Sequence, residues 1–89
     1  MPRVSFTSNL RRHHDVPPQT VDGATVRAAL EQVFAKYAAL EGYIVDERFR
    51  LRKHVMIFVD AKPVNDRETL SDAVAAETEI YVMQALSGG

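Results

Sequence analysis

The residues with the clearest capacity for chemistry are the last two, Gly88 and Gly89. They end the stretch YVMQALSGG, in which an apolar, strand-like run passes directly into two residues without side chains. Glycine loses the most backbone entropy on ordering, so a terminal pair adds nothing to stability. Either the pair is a frayed end or an added linker, or a partner protein must reach bare backbone and the carboxylate of Gly89.

A loop with two histidines, RRHHD at residues 11–15, is a second candidate for chemistry. His13, His14 and Asp15 are metal-ligand types, but neighbours in an extended loop point apart and no second cluster completes a site. A solvated hairpin tip is the favoured interpretation. The Ser, His and Asp residues show no spacing typical of a catalytic triad. The sequence therefore predicts no catalytic residue and no metal site.

A basic stripe lies in the middle of the chain. Its cationic or titratable side chains alternate with Phe49 and Leu51, and they are Arg48, Arg50, Arg52, Lys53 and His54. Such a stripe suits electrostatic docking of an acidic partner. It suits a solvated sheet edge protected by charge equally well, and the sequence leaves both interpretations open.

Length and composition exclude several classes of protein. A chain of 89 residues forms one small domain, too short for a core and a deep enclosed active site together. The longest apolar run, residues 55–59, is far shorter than a membrane span or a signal-peptide core, so we expect a cytoplasmic protein without a membrane partner. The net charge of −1 argues against a nucleic-acid partner. The absence of cysteine excludes disulfides and a nucleophilic thiol.

The periodicity of apolar residues predicts a small α+β domain. RVSFTS and QTV have strand character and are expected to pair as a hairpin. A single helix should begin after the N-cap Thr25, with Leu40 closing its apolar face and Gly42 just past its end. HVMIFVDAKPV predicts a strand, a turn near Asp60-Ala61 and a short edge strand, and EIYVMQAL predicts the last strand. The expected order is strand, strand, helix, strand, short strand, strand.

One helix can cover only one face of such a sheet. If Val55, Ile57 and Val59 face the helix, alternation turns the residues between them to the opposite face. This open face would carry Met56 and Phe58, with Tyr81 and Met83 beside them on the last strand. An apolar patch on an open sheet face is typical of a partner-binding surface. A covering loop, or a facing inverted by one residue, is the alternative.

This arrangement resembles the ubiquitin-like β-grasp sulfur carriers, which include the thiamine-pathway sulfur carrier and the small subunit of molybdopterin synthase. The resemblance covers essentially the whole chain and is carried by three stretches: ATVRAALEQVF, HVMIFVDAKPV and EIYVMQALSGG. The chain departs from the family pattern at two turns. AAETE stands where a Gly-Asp turn is common, and Asp60-Ala61 stands where Asn-Gly is common. These departures concern loop geometry more than function.

The resemblance implies a mixed sheet of four to five strands with one main helix, over a domain of residues 1–86, and a flexible tail of residues 87–89. It implies that the protein is a substrate and not an enzyme. A ubiquitin-activating-type enzyme would adenylate the Gly89 carboxylate with ATP and Mg²⁺, and a sulfurtransferase or another donor would convert it to a thiocarboxylate. An acceptor biosynthetic enzyme would then take the sulfur, in a pathway such as thiamine or molybdopterin synthesis.

The same resemblance assigns site residues and leaves alternatives open. Gly88 and Gly89 form the expected adenylation site, and no cofactor is expected on the chain itself. The expected partner-binding residues are Met56, Phe58, Tyr81, Met83 and Leu86. A protein modifier joined through Gly89 to lysines starts from the same adenylate. The tail therefore does not distinguish a modifier from a sulfur carrier. A non-covalent β-grasp interaction module is the third possibility.

Overall fold

The sheet has five strands, and the computed structural model describes residues 1–6 and 17–84 of the chain. The strands are β1 (Arg3–Phe6), β2 (Gln19–Thr20), β3 (Val55–Val59), β4 (Lys62–Pro63) and β5 (Glu79–Gln84), in the spatial order β2-β1-β5-β3-β4. β5 pairs parallel to β1 and antiparallel to β3, and both outer pairs are antiparallel. The predicted order of the five strands is confirmed, with the helical segment between the second and the third, and the last strand lies at the centre of a mixed sheet.

Two helices stand where the sequence predicted one: α1 (Val26–Lys36) and α2 (Ala38–Ile44). The predicted N-cap is confirmed, because Oγ1 of Thr25 accepts a hydrogen bond of 3.1 Å from the backbone N–H of Ala28. The predicted end is wrong, because the helix breaks at Tyr37 (φ −127°, ψ 68°) and Gly42 lies inside α2. The break redirects the chain so that Leu40 and Ile44 of α2 are buried.

One hydrophobic core joins the helices to one face of the sheet. α1 contributes its apolar stripe, including the fully buried Leu30 and Val33. The sheet contributes alternate residues of its three central strands, and the fully or almost fully buried ones are Val4, Val55, Ile57, Ile80 and Val82. Because side chains alternate along a strand, the residues between these must stand on the opposite face.

The segment between β4 and β5 caps the N-terminus of α1. The backbone N–H groups of Val26 and Arg27 donate to the carbonyls of Asp72 (3.0 Å) and Leu70 (2.9 Å). First-turn N–H groups have no partner within a helix, so these bonds satisfy donors that would otherwise be unpaired. Leu70 is fully buried and has a positive φ of 55°. The chain makes a non-helical turn at residues 67–69, immediately before Leu70.

Candidate functional site

Four large side chains share the sheet face opposite α1. In the antiparallel ladder between β3 and β5, Met56 lies opposite Met83 and Phe58 lies opposite Tyr81. Met56, Phe58 and Met83 are half-buried, whereas Tyr81 is 40% exposed. The facing predicted from alternation is therefore the one that the structure has, and four of the five predicted partner-binding residues lie side by side. Their role in binding a partner stays a prediction.

Polar residues of β1 and β5 border this apolar patch. Ser5 is beside Tyr81 in the parallel ladder, and Arg3 is beside Glu79 one step further along the same face. The patch thus has one apolar centre and a charged margin, which is the usual composition of a protein-binding surface. Such a patch suits docking of a protein surface.

The route of the chain toward its last residues is set by β5. Gln84, the last described residue, is paired with Val55, the first residue of β3, so the described part of β5 ends beside the start of β3. Three predicted site residues, Leu86, Gly88 and Gly89, lie outside the described residues, and so does the boundary predicted at residue 86. Their assignments stay predictions. A tail of five residues beyond Gln84 has a reach on the order of 15 Å when extended.

A groove of about 660 Å³ lies at this same end of β3. The basic stripe contributes most of its lining, together with two residues from the segment after β4; the lining residues are Asp46, Arg50, Leu51, Arg52, Lys53, His54, Arg67 and Glu68. A backbone hydrogen bond of 2.8 Å from the N–H of Leu51 to the carbonyl of Arg67 holds the two segments together. Sequence reasoning found the stripe and missed Arg67, which is distant along the chain.

Hydrogen bonds fix three guanidinium groups around the groove. Nε of Arg52 donates to the carbonyl of Gly42 (2.7 Å), and Nη2 of Arg67 donates to the carbonyl of Arg52 (2.8 Å). Nη1 of Arg67 also lies 3.5 Å from Sδ of Met56. Nε of Arg50 donates to Oδ2 of Asp46 at 2.9 Å. Arg67 therefore contacts both the groove and a residue of the apolar face.

Two carboxylates organise the loops beside the groove and have lowered pKa values. Backbone N–H groups of Arg50 and Arg48 donate to Asp46, and the Arg50 guanidinium adds its own bond and charge; these contacts lower the pKa of Asp46. The hydroxyls of Ser71 and Thr69, with the backbone N–H of Thr69, lower the pKa of Asp66 further. These hydrogen bonds stabilise the charged form of each carboxylate, and the pKa of each therefore falls. Their role is to shape loops, since neither faces a reacting group.

The described part of the chain holds neither a candidate metal site nor a candidate membrane span. Among residues 1–6 and 17–84, no group of three or more His, Asp or Glu side chains is placed to hold a metal ion. Nor is any helix in these two ranges long and apolar enough to cross a bilayer. The loop with His13 and His14 lies outside the described residues, so its interpretation as a solvated tip stays a prediction.

Solved structures with the same fold come from archaea and bacteria. SAMP1 from Haloferax volcanii aligns with a TM-score of 0.83 at 23% identity, over 99% of this chain and 98% of that one. A chain of the BexX/CysO complex from Amycolatopsis orientalis aligns with a TM-score of 0.84 at 23% identity, over 100% of both chains. CysO from Mycobacterium tuberculosis gives a TM-score of 0.81 at 22% identity, over 97% of this chain and 100% of that one.

Sequence comparison identifies the family. A search of curated proteins gives no match. The family model described as "ThiS family" matches residues 9–89, which is most of the chain and includes Gly88 and Gly89. The match agrees with the central position of β5 and with the resemblance carried by the three sequence stretches. The chain therefore belongs to the ThiS family and has the ubiquitin-like β-grasp fold.

Proposed function

We propose that this protein is a sulfur carrier whose Gly89 carboxylate is activated by adenylation and converted to a thiocarboxylate. The observation that carries the proposal is the family match, which extends through Gly89. In the structure, the strand that leads to this tail lies at the centre of the sheet. A rigid strand followed by glycines suits delivery of a carboxylate into a narrow site on another protein, because glycine has no Cβ to obstruct entry.

Activation and sulfur transfer to Gly89 are two steps that other proteins carry out. A carboxylate is a poor electrophile until it carries a good leaving group. In the first step, an oxygen of the Gly89 carboxylate attacks the α-phosphorus of Mg²⁺-bound ATP and pyrophosphate leaves, which gives an acyl-adenylate. In the second, hydrosulfide delivered by a sulfur-donor protein attacks the acyl carbon and AMP leaves, which gives the thiocarboxylate and a proton. The acceptor enzyme then takes the sulfur, and the carboxylate returns after hydrolysis.

The apolar face is the proposed docking surface for the adenylating and acceptor enzymes. Met56, Phe58, Tyr81 and Met83 lie together on β3 and β5, and β5 leads directly to the tail. Docking there would place the tail at the partner's active site while the sheet stays outside. The Amycolatopsis structure is a BexX/CysO complex, so a chain of this fold associates there with a second protein. We place the protein in the cytoplasm, where ATP and such enzymes are available.

A protein modifier is the second candidate function. A structure from Methanosarcina acetivorans with a TM-score of 0.81 is described as the small archaeal modifier protein 1. In that case a lysine amine would attack the acyl-adenylate instead of hydrosulfide, and AMP would leave as an isopeptide bond forms. Both functions use the same adenylate, so they differ only in the nucleophile of the second step.

The adenylation step can be tested with a truncated chain. Deletion of Gly88-Gly89 should abolish ATP–pyrophosphate exchange by the adenylating enzyme of the native host, while the thermal midpoint stays close to that of the full chain. The glycines follow the last apolar strand and have no side chain to pack, so the fold does not need them. A Ser87→Ala variant of the full-length chain is the control and should remain a substrate. Normal exchange with the truncated chain would contradict the proposal.

A further inference from the structure

The groove at the start of β3 concentrates positive charge in a protein whose net charge is −1. Four Lys or Arg side chains line it against two carboxylates, an excess of two positive charges when His54 is counted as neutral. The opposing carboxylates are those of Asp46 and Glu68, and Asp46 is already paired with Arg50. Within the described residues, the exposed Lys53 and His54 side chains have no hydrogen bond or ion pair. These two groups are therefore free to meet an external anion.

We propose that this groove binds an acidic surface segment of the adenylating enzyme, beside the point where the tail enters that enzyme. The inference rests on the proposed function, because it needs an enzyme that docks on the sheet and receives the tail. The groove is a second contact region, formed by side chains that the apolar face does not include. Its occupant is a stretch of Asp or Glu side chains on the partner.

The position of the groove is the first argument. Val55 follows Lys53 and His54 directly and is paired with Gln84, the last described residue of β5. The groove therefore borders the end of β5, the strand that precedes the tail in the sequence. Arg67 lines the groove and contacts Met56, so the groove is also continuous with the apolar face. A partner that covers the apolar face and takes up the tail would therefore lie next to the groove.

Preorganisation of the cations is the second argument. The guanidinium groups of Arg52 and Arg67 are held by backbone carbonyls at 2.7 and 2.8 Å, so little side-chain entropy is lost when an anion binds beside them. Leu51, which is 8% exposed, lines the same groove. Complementary charge of this kind raises association rates and fixes the orientation of the partner.

The open shape and mixed charge of the groove favour a protein segment over a small anion. It is an open trough rather than an enclosed cavity. Asp46 and Glu68 lie among the cations and would repel a compact anion such as phosphate. A peptide segment with spaced carboxylates can contact Lys53, His54 and Arg67 while keeping its own charges away from these two.

The groove can be tested without the adenylating enzyme, by NMR titration of the full chain with a short peptide of alternating Glu and Gly. Shifts should concentrate at residues 50–54 and at Arg67, and Lys53→Glu should remove them. Inorganic phosphate at the same concentration should give no such shifts. Changes spread evenly over all exposed Lys and Arg residues would overturn the proposal. Equal binding of phosphate and peptide would overturn it too, because the groove would then be a small-anion site.

The second test uses exchange kinetics with the adenylating enzyme of the native host. Lys53→Glu should raise KM for the carrier roughly five- to tenfold at low salt, with kcat unchanged, and Lys53→Arg should restore KM. The difference should shrink above about 0.15 M salt, where screening shortens electrostatic reach. Lys62→Glu is the matched control. Lys62 is also exposed, but it pairs with Val59 at the other end of β3. The KM for the Lys62→Glu carrier should therefore equal that for the unmodified carrier.

The outcomes separate the two proposals. An unchanged KM for Lys53→Glu, or an equal rise for Lys62→Glu, would overturn the groove proposal while exchange by the unmodified chain still supports adenylation. If the unmodified chain supports no exchange at all, the proposed function fails and this docking role fails with it. The peptide titration would then decide only whether the groove binds acidic segments.

Discussion

Phe58 lies directly opposite Tyr81 in the ladder between β3 and β5, and both side chains stand on the sheet face opposite α1. The next residue on each side of this pair, Ile57 on β3 and Val82 on β5, is fully buried against the helices. In these two strands, one set of alternate residues packs in the core, and the other set places the apolar pair Phe58 and Tyr81 on the partly exposed face. Two half-exposed aromatic rings at the centre of a sheet are suitable anchors for a partner.

Phe58 and Ile57 should respond oppositely to mutation. Phe58→Ser should cost less than about 1.5 kcal/mol of stability, because the side chain is only half-buried. It should weaken binding to the adenylating enzyme by roughly 1–3 kcal/mol, as an aromatic anchor does. Ile57→Ala should lose about 2–5 kcal/mol of stability with unaltered affinity for the folded fraction. A melting curve and a binding titration on each variant measure both effects. A large loss of melting temperature for Phe58→Ser with normal affinity would remove the docking assignment.

The β3–β4 turn should be improved by glycine. Asp60 and Ala61 have positive φ angles of 50° and 69°, which are the signs that a type I′ turn requires at both central positions. Alanine is strained there, so Ala61→Gly should stabilise the protein by about 0.5–1 kcal/mol even after the entropy cost of glycine. Ala35→Gly, at an exposed position of α1, should lose about the same amount. Urea unfolding of both variants measures the difference, and destabilisation by Ala61→Gly would show that the turn holds alanine without strain.

Asp66 should make stability depend on acid pH. Its pKa is lowered well below the usual 3.8 by the hydroxyls of Ser71 and Thr69 and by backbone N–H groups. A carboxyl with a depressed pKa in the folded state stabilises the protein above the pKa of the unfolded chain. This contribution is lost as the pH falls below about 4 toward the folded-state value. Asp66→Asn should therefore melt lower than the unmodified protein at neutral pH, and the gap should narrow in acid.

Thermal midpoints between about pH 2 and pH 7 measure this gap. Glu77→Gln is the control, because Glu77 is exposed and its side chain has no hydrogen bond or ion pair within the described residues. That variant should follow the unmodified protein across the range. A gap between Asp66→Asn and the unmodified protein that stays constant with pH would show that Asp66 acts only through shape.

Local periodicity was sufficient to predict the strands and their facing. Val55, Ile57 and Val59 alternate with Met56 and Phe58, and a strand must send these sets to opposite faces. The break at Tyr37 was not predictable in the same way, because residues 35–40 contain no proline or glycine to mark it. It depends on tertiary packing, which buries Leu40 and Ile44.

Two further features depend on hydrogen bonds that local sequence patterns do not reveal. Phe49 has a positive φ of 63°, in a loop where Asp46 accepts hydrogen bonds from the backbone of Arg48 and Arg50. No propensity rule places an aromatic residue in that conformation. Arg67 joins the basic stripe through two long-range hydrogen bonds, from the N–H of Leu51 to its carbonyl and from its Nη2 to the carbonyl of Arg52. The sequence therefore predicted the stripe but not the groove.

The central claim is that Gly89 carries sulfur as a thiocarboxylate. The direct measurement is the intact mass of the protein after incubation with the adenylating enzyme of its native host, ATP, Mg²⁺ and sulfide. Replacement of one carboxylate oxygen by sulfur should add about 16 Da, and fragmentation should locate the gain at Gly89, because adenylation activates only the terminal acyl group. The chain without Gly88-Gly89 should keep its unmodified mass. An unchanged mass of the full chain under conditions in which ATP–pyrophosphate exchange proceeds, with isopeptide-linked ladders on other proteins, would contradict the sulfur-carrier account and favour the modifier.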